Sequence, residues 1–289
     1  MLTQKAYKDY QDVYFDYWET VESVWYNVMT KSHFSIESRL FSQLCFAMGA
    51  GTFFYPDTGD FSESKMAREI EKVSDDIYET RWLRQFHNQR VNLARPMSMI
   101  QPLLLKNLQN MHPELKRLLR SAWRIYADDS HAAEIMELNY ASETAPAACR
   151  DMAKAYRRSR DRVNRYFGIE IQWFIEKYCT DFLSARSYTD DVSLFAYAQR
   201  LILHVALLKY CLFSSPRIRK VVAAYESSDI QIGMRRQDIV DAFYTAVREI
   251  IESFTVGLES DDTPLLLLRQ EMENQEISDL SHTVMFILF

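Results

Sequence analysis

Glycine and proline are scarce in this 289-residue chain, with six and seven residues respectively. Because these residues interrupt helices and build tight turns, their scarcity favours long helices and argues against a turn-rich β architecture. Cysteine is also sparse, and the four thiols form neither a CxxC pair nor a zinc spacing. Widely spaced cysteines of this kind are typical of buried thiols in a reducing compartment. We therefore predict an all-α, cytoplasmic protein.

The sequence also lacks features of membrane, secreted and nucleic-acid-binding proteins, which reduces the number of possible functions. No stretch approaches the ~18 apolar residues of a membrane span, and the first residues lack the basic and apolar regions of a secretory signal. The net charge of −6 gives no indication of a nucleic-acid surface. With 48% hydrophobic residues the chain can build a large core, and we predict one domain over residues 1–289.

Two segments, residues 169–185 and 192–213, are apolar nearly all round. A helix of that kind is buried and needs other helices around it. We predict a helical bundle with a core over about residues 63–213, and further helices at both termini. Its four helices are expected at roughly 63–108, 113–139, 169–186 and 190–213. The most protected helix should be residues 201–213, with these side chains inaccessible: Leu201, Leu203, His204, Leu207, Leu208 and Cys211.

The helix predicted at 113–139 carries three titratable groups within one turn, Asp128, Asp129 and His131. Helical phase puts Asp129 near the middle of the apolar arc, and Asp128 and His131 toward one edge. An ionised carboxylate on a core face is costly unless it is paired, hydrogen-bonded or bound to metal. The pattern therefore predicts either a metal site or a structural partner, such as an arginine or a tyrosine from another helix.

Two more titratable groups fall on predicted buried helices. Glu176 shares a helix face with Ile169, Trp173, Cys179 and Leu183. His204 sits in mid-helix, with Tyr197, Arg200, Leu208 and Cys211 on its side. Inward-facing groups at mid-helix converge in a bundle, so we predict that Glu176 and His204 come within about 7 Å, which one metal could bridge. The alternative is that each finds its own arginine, tyrosine or backbone partner.

Two segments suggest partners. Residues 147–167 are predicted to form a strongly basic amphipathic helix, which favours an exposed face balanced by its neighbours or, alternatively, a docking surface for an acidic carrier protein. The terminal TVMFILF is apolar and must be covered, either in the core or at a subunit interface. The second case would make the protein a homodimer.

The order of an acid-x-x-His helix, a buried Glu helix and a buried His helix resembles the ferritin-like carboxylate proteins. The closest likeness is to p-aminobenzoate N-oxygenase and its relatives, over roughly residues 80–215. The resemblance implies Asp128 or Asp129, His131, Glu176 and His204 as metal ligands.

Two positions depart from the pattern of that family, since Leu208 stands where Glu is expected and Cys211 where His is expected. Tyr197 and Cys211 would then lie next to the metal ligands without binding the metal themselves. The resemblance implies a non-haem iron oxygenase of small-molecule metabolism, with amine N-oxygenation as its reaction. The catalytic residues are not identified.

Two other functions stay open. The first is a metal-free bundle that binds a ligand or partner, with its polar residues in buried hydrogen-bond networks. The second rests on Asp75, Asp76 and Glu79, whose DDxxE pattern resembles the magnesium-diphosphate motif of class I terpene synthases. The downstream metal motif of that family has no counterpart in this sequence.

Overall fold

The computed structural model describes residues 20–54, 63–74, 93–107, 111–126, 147–185, 193–227, 233–260, 263–274 and 280–289. Eleven helices and no strand occur in these ranges, which confirms the predicted all-α class. In chain order they are α1 (residues 20–30), α2 (Ile36–Phe54), α3 (Glu63–Ser74), α4 (Ala94–Asn107), α5 (Pro113–Trp123), α6 (Ala147–Ala185), α7 (Leu194–Phe213), α8 (Pro216–Ser227), α9 (Gly233–Ser260), α10 (Thr263–Asn274) and α11 (Leu280–Ile287). The ferritin-like form of the bundle stays a prediction.

The chain separates into two compact units. Unit 1 comprises Met1–Arg90 and Ile175–Leu203, and unit 2 comprises Val91–Phe174 and His204–Phe289. The long helices α6 and α7 each contribute residues to both units. That the whole chain acts as a single domain stays a prediction.

In unit 1, polar side chains of α2 bind carbonyl groups of α1. Gln43 Nε2 donates to the Trp25 carbonyl at 3.1 Å, and Arg39 Nη1 donates to the Met29 carbonyl. Carbonyls in the last turn of a helix lack an intrahelical donor, so an arginine there satisfies a group that burial would otherwise leave unpaired. Two residues one turn apart on α2 therefore hold α1 in register.

In unit 2, α5 buries Leu115, Leu119 and Ala122 and packs closely on α9 at Gly257. A Cβ at Gly257 would lie 2.6 Å from Leu115 Cβ and 3.2 Å from the Leu115 backbone nitrogen. Such a distance is shorter than any carbon contact, so only glycine permits this approach. The close packing sets the position of α5.

We expect Gly257→Ala to lower the free energy of unfolding by about 1–3 kcal/mol, the usual cost of overpacking. This loss should appear although alanine is favoured over glycine in a helix by about 1 kcal/mol. Gly168→Ala is the matched control, because its Cβ would meet only Asn164 Cβ at 3.7 Å. The control should gain roughly 0.5–1 kcal/mol. Urea denaturation measures both, and a Gly257→Ala variant as stable as Gly168→Ala would contradict the packing.

Helix α6 runs for 39 residues with one non-helical residue, Phe167, at φ −135° and ψ 25°. The break falls where the sequence predicts one helix to end and the next to begin. The predicted all-round burial after the break is wrong, because Ile169 is 86% exposed and Trp173 is 54% exposed. The buried stripe contains Ile171, Ile175, Tyr178 and Phe182. The apolar residues of α6 therefore cover more of the helix surface than the face that packs against other helices. Composition alone does not show which face that is.

The predicted burial of residues 201–213 in α7 is confirmed, since every one of them is buried. The apolar terminal segment is also covered within the chain: Phe286, Ile287 and Phe289 are all buried. Tyr156 Oη donates to the Phe289 carbonyl at 2.9 Å, and Lys209 Nζ donates to the Ile287 carbonyl at 3.1 Å. These contacts place the segment in the core of unit 2, so it gives no argument for a dimer.

Within the described ranges, no single helix is long and apolar enough to cross a membrane. Helices α7 and α8 meet that criterion by length and composition only as a pair bent by 54°.

Candidate functional site

A pocket of about 770 Å³ opens in unit 2 beside the first turns of α5 and α8. Pro113 and Pro216 are the first residues of these two helices and both line the pocket. The first N–H groups of a helix carry partial positive charge, so two helix starts favour an anion here. We call it the basic pocket, and its lining residues are Met111, Pro113, Lys116, Arg117, Arg120, Ser121, Arg124, Ile125 and Pro216.

Four of these lining residues are cations, and no carboxylate lines the described part of the pocket. Lys116, Arg120 and Arg124 follow one another at four-residue spacing, which puts them on one face of the helix. Arg124 keeps helical backbone angles just beyond α5, so the row is unbroken. Arg117 is partly neutralised by Glu114, whose carboxylate lies 2.7 Å away. Arg120 and Arg124 of this row form no ion pair with another described residue, so they are the main source of positive charge in the basic pocket.

Tyr126 follows Arg124 by two residues in the chain. Its ring meets Tyr156 edge-on at 6.4 Å and Tyr210 at 6.5 Å. Burial raises the pKa of Tyr126, and the nearby Ser214, Arg219 and Ser159 oppose that shift. Tyr126 Oη makes no hydrogen bond of good geometry with them or with any other described residue. The phenol is therefore neutral at physiological pH and adds no negative charge.

A smaller pocket of about 180 Å³ continues the basic character of unit 2. Arg158, Arg162 and Arg219 line it. Arg162 binds both carboxylate oxygens of Glu226, and these hydrogen bonds lower the pKa of Glu226. The positive charge in this smaller pocket is thus partly neutralised, whereas Arg120 and Arg124 pair with no carboxylate among the described residues.

The residues that the sequence predicts as metal ligands fall in different parts of the chain. Asp128, Asp129 and His131 lie outside the described residues. Glu176 belongs to unit 1, is 31% exposed at its side chain and pairs with Arg39 at 2.9 Å. His204 belongs to unit 2 and is 1% exposed. Glu176 thus has the arginine partner that the sequence allowed as an alternative, and the 7 Å approach to His204 stays a prediction.

The two residues predicted next to the metal ligands are both buried. Tyr197 packs edge-on against Trp25 at 5.1 Å, and Cys211 is 2% exposed. Burial raises the pKa of the Cys211 thiol well above its usual range, and that of Cys45 to about 12. Both thiols therefore stay protonated at neutral pH, which disfavours the thiolate that a metal would take.

Among the described residues, no three His, Cys, Asp or Glu side chains come together in a group that could hold a metal ion. Because three of the predicted ligands lie outside these residues, the ligand set and the iron cofactor stay predictions. Asp75, Asp76 and Glu79 also lie outside them.

The row of cations on α5 was missed by sequence reasoning, although its spacing is visible there. Lys116, Arg120 and Arg124 recur every four residues on the polar side of the predicted helix. The interpretation of that helix rested on its apolar side instead. The pocket additionally needs Pro216 of α8, which is far away along the chain. The row could therefore have been found from the sequence, but not the pocket.

A protein-family model described as FliB lysine N-methylase C-terminal domain matches residues 23–286. No curated protein matches the chain, and no solved structure does. The family match contradicts the predicted relationship to the ferritin-like N-oxygenases. The predicted function as a non-haem iron oxidoreductase is wrong for the same reason, and the terpene-synthase-like and metal-free alternatives gain no support. An acid and a histidine three residues apart can fall on one face of any helix, so that spacing identifies no family by itself.

Proposed function

Since the chain belongs to the family of FliB lysine N-methylase C-terminal domains, we propose that it takes part in the transfer of a methyl group to the side-chain amine of lysine. The single observation that carries this proposal is the family match. It runs from α1 to α11 and so takes in the described helices of both units. A methyltransferase-type function replaces the oxygenase that the sequence suggested.

The reaction sets clear demands on a site. The uncharged lysine nitrogen attacks the methyl carbon, an N–C bond forms, the bond from that carbon to the donor breaks, and the nitrogen gives up a proton. A methyl donor supplies an electrophilic methyl group, commonly on a positively charged sulfonium. The site must therefore accept a lysine that arrives as an ammonium ion and, with a sulfonium donor, a second cation.

The basic pocket does not fit either of these groups. Its described lining has four cations and no carboxylate, and like charges a few ångström apart repel. Nearby cations would lower the pKa of an incoming lysine, but the same repulsion would weaken its binding. We therefore assign no step of methyl transfer to this pocket. Its charge suits an acidic part of the substrate.

A gene deletion in the source organism tests the proposal without any assumption about the donor. N-methyllysine is measured by mass spectrometry in hydrolysed total protein from the deletion strain, the parent and a complemented strain. We expect at least one methylated protein to lose its N-methyllysine on deletion and to regain it on complementation. N-methylarginine is the internal control and should not change. An identical N-methyllysine pattern in all three strains would refute the proposed function.

A further inference from the structure

We infer that the basic pocket docks an acidic segment of the protein whose lysine is methylated. This inference rests on the proposed function, because it names the part of the substrate that the pocket would recognise. The cations of the pocket would bind carboxylates of the docked segment. This segment would be a different part of the substrate from the lysine that receives the methyl group.

The spacing of the cations fits a peptide. Lys116 and Arg120 on α5 and Arg124 just beyond it are four residues apart, which gives steps of about 6 Å along the helix axis. Side chains on one face of an extended peptide are two residues apart, or about 6.7 Å. Three alternate carboxylates thus match three successive cations to within about 2 Å over the whole row. Arginine can bind each carboxylate through two hydrogen bonds, which adds geometric selectivity.

Arg120 and Arg124 lie on the side of the helix that a partner can reach. Leu115, Leu119 and Ala122 form the buried side of α5 and pack toward the core. At 100° per residue, Arg120 and Arg124 fall on the opposite side, and both are exposed. Neither of them forms an ion pair within the part of the chain that the structure describes. A carboxylate from a partner can therefore reach them without displacing any acid among the described residues.

A peptide fits the pocket better than other anions do. Single-stranded nucleic acid is usually held by base stacking on aromatic side chains, and none occurs among the described lining residues. The net charge of −6 also opposes a polyanion that extends beyond the pocket. A single small anion needs converging cations, whereas this site has a row about 12 Å long by the helical rise.

Fluorescence anisotropy of the full-length protein with a labelled peptide of alternating Glu and Ser tests the docking site. The pocket variant is Lys116→Gln/Arg120→Gln/Arg124→Gln. The control variant is Arg150→Gln/Arg165→Gln/Arg248→Gln, which removes the same charge at exposed positions outside the pocket. We expect the Glu peptide to bind the wild type and the control variant with similar affinity, weakening as salt rises. The pocket variant should bind about tenfold more weakly or worse, and a Gln–Ser peptide should not bind.

Equal peptide binding by the two triple variants would overturn the inference, as would tighter binding of a single-stranded oligonucleotide than of the Glu peptide. Circular dichroism checks that both variants keep the helical signal, which we expect because five of the six substituted residues are exposed and Lys116 is half-buried. The peptide assay contains no methyl donor, so its outcome is separate from that of the gene deletion. Unchanged N-methyllysine with pocket-dependent peptide binding would refute the proposed function alone, whereas lost N-methyllysine with equal binding would refute the docking site alone.

Discussion

Arg39→Ala should lower the free energy of unfolding by about 1–3 kcal/mol, the usual cost of leaving a buried hydrogen-bond acceptor without its donor. The Arg39 side chain is 2% exposed and lies 2.9 Å from the Glu176 carboxylate. It also donates to the Met29 carbonyl, so truncation leaves that buried acceptor without its donor. Urea denaturation followed by the helical circular dichroism signal measures the loss.

Glu176→Gln is the matched variant at the other end of this ion pair. It keeps the size of the side chain and removes its charge. Because Glu176 is 31% exposed, water already weakens the attraction, and we expect a smaller loss of no more than about 1 kcal/mol. A cost below about 1 kcal/mol for Arg39→Ala would show that the guanidinium does not hold α1 on α2.

Helix positions could be predicted from the sequence because their signals are local. Scarce breakers and apolar runs placed α7 correctly, and the break at Phe167 was expected between two helical segments. Burial of α6 could not be predicted in the same way. Whether Ile169 is covered depends on where other helices pack, and no periodicity within the helix records that.

The candidate site was harder to predict because it depends on partners distant in sequence. Glu176 looked like a ligand only until its partner Arg39, from a different helix, was known. The basic pocket needs α5 beside the start of α8 at Pro216. Isolated spacing motifs therefore led to a wrong prediction of an oxygenase. The family match, which covers most of the chain, corrected that prediction.

Leu208→Ala should lower the free energy of unfolding by about 2–5 kcal/mol, the range for truncating a buried leucine. Leu208 is 0% exposed, and so are its helix neighbours Leu207 and Leu212. Surrounding side chains at such a site relax only partly into the space left, so a cavity term adds to the lost burial. Ile169→Ala is the matched control, because it also removes a large aliphatic side chain from a helix but at 86% exposure. The control should change stability by no more than about 0.5 kcal/mol. The same urea titration measures both variants, and equal losses would show that α6 and α7 are not buried as the structure has them.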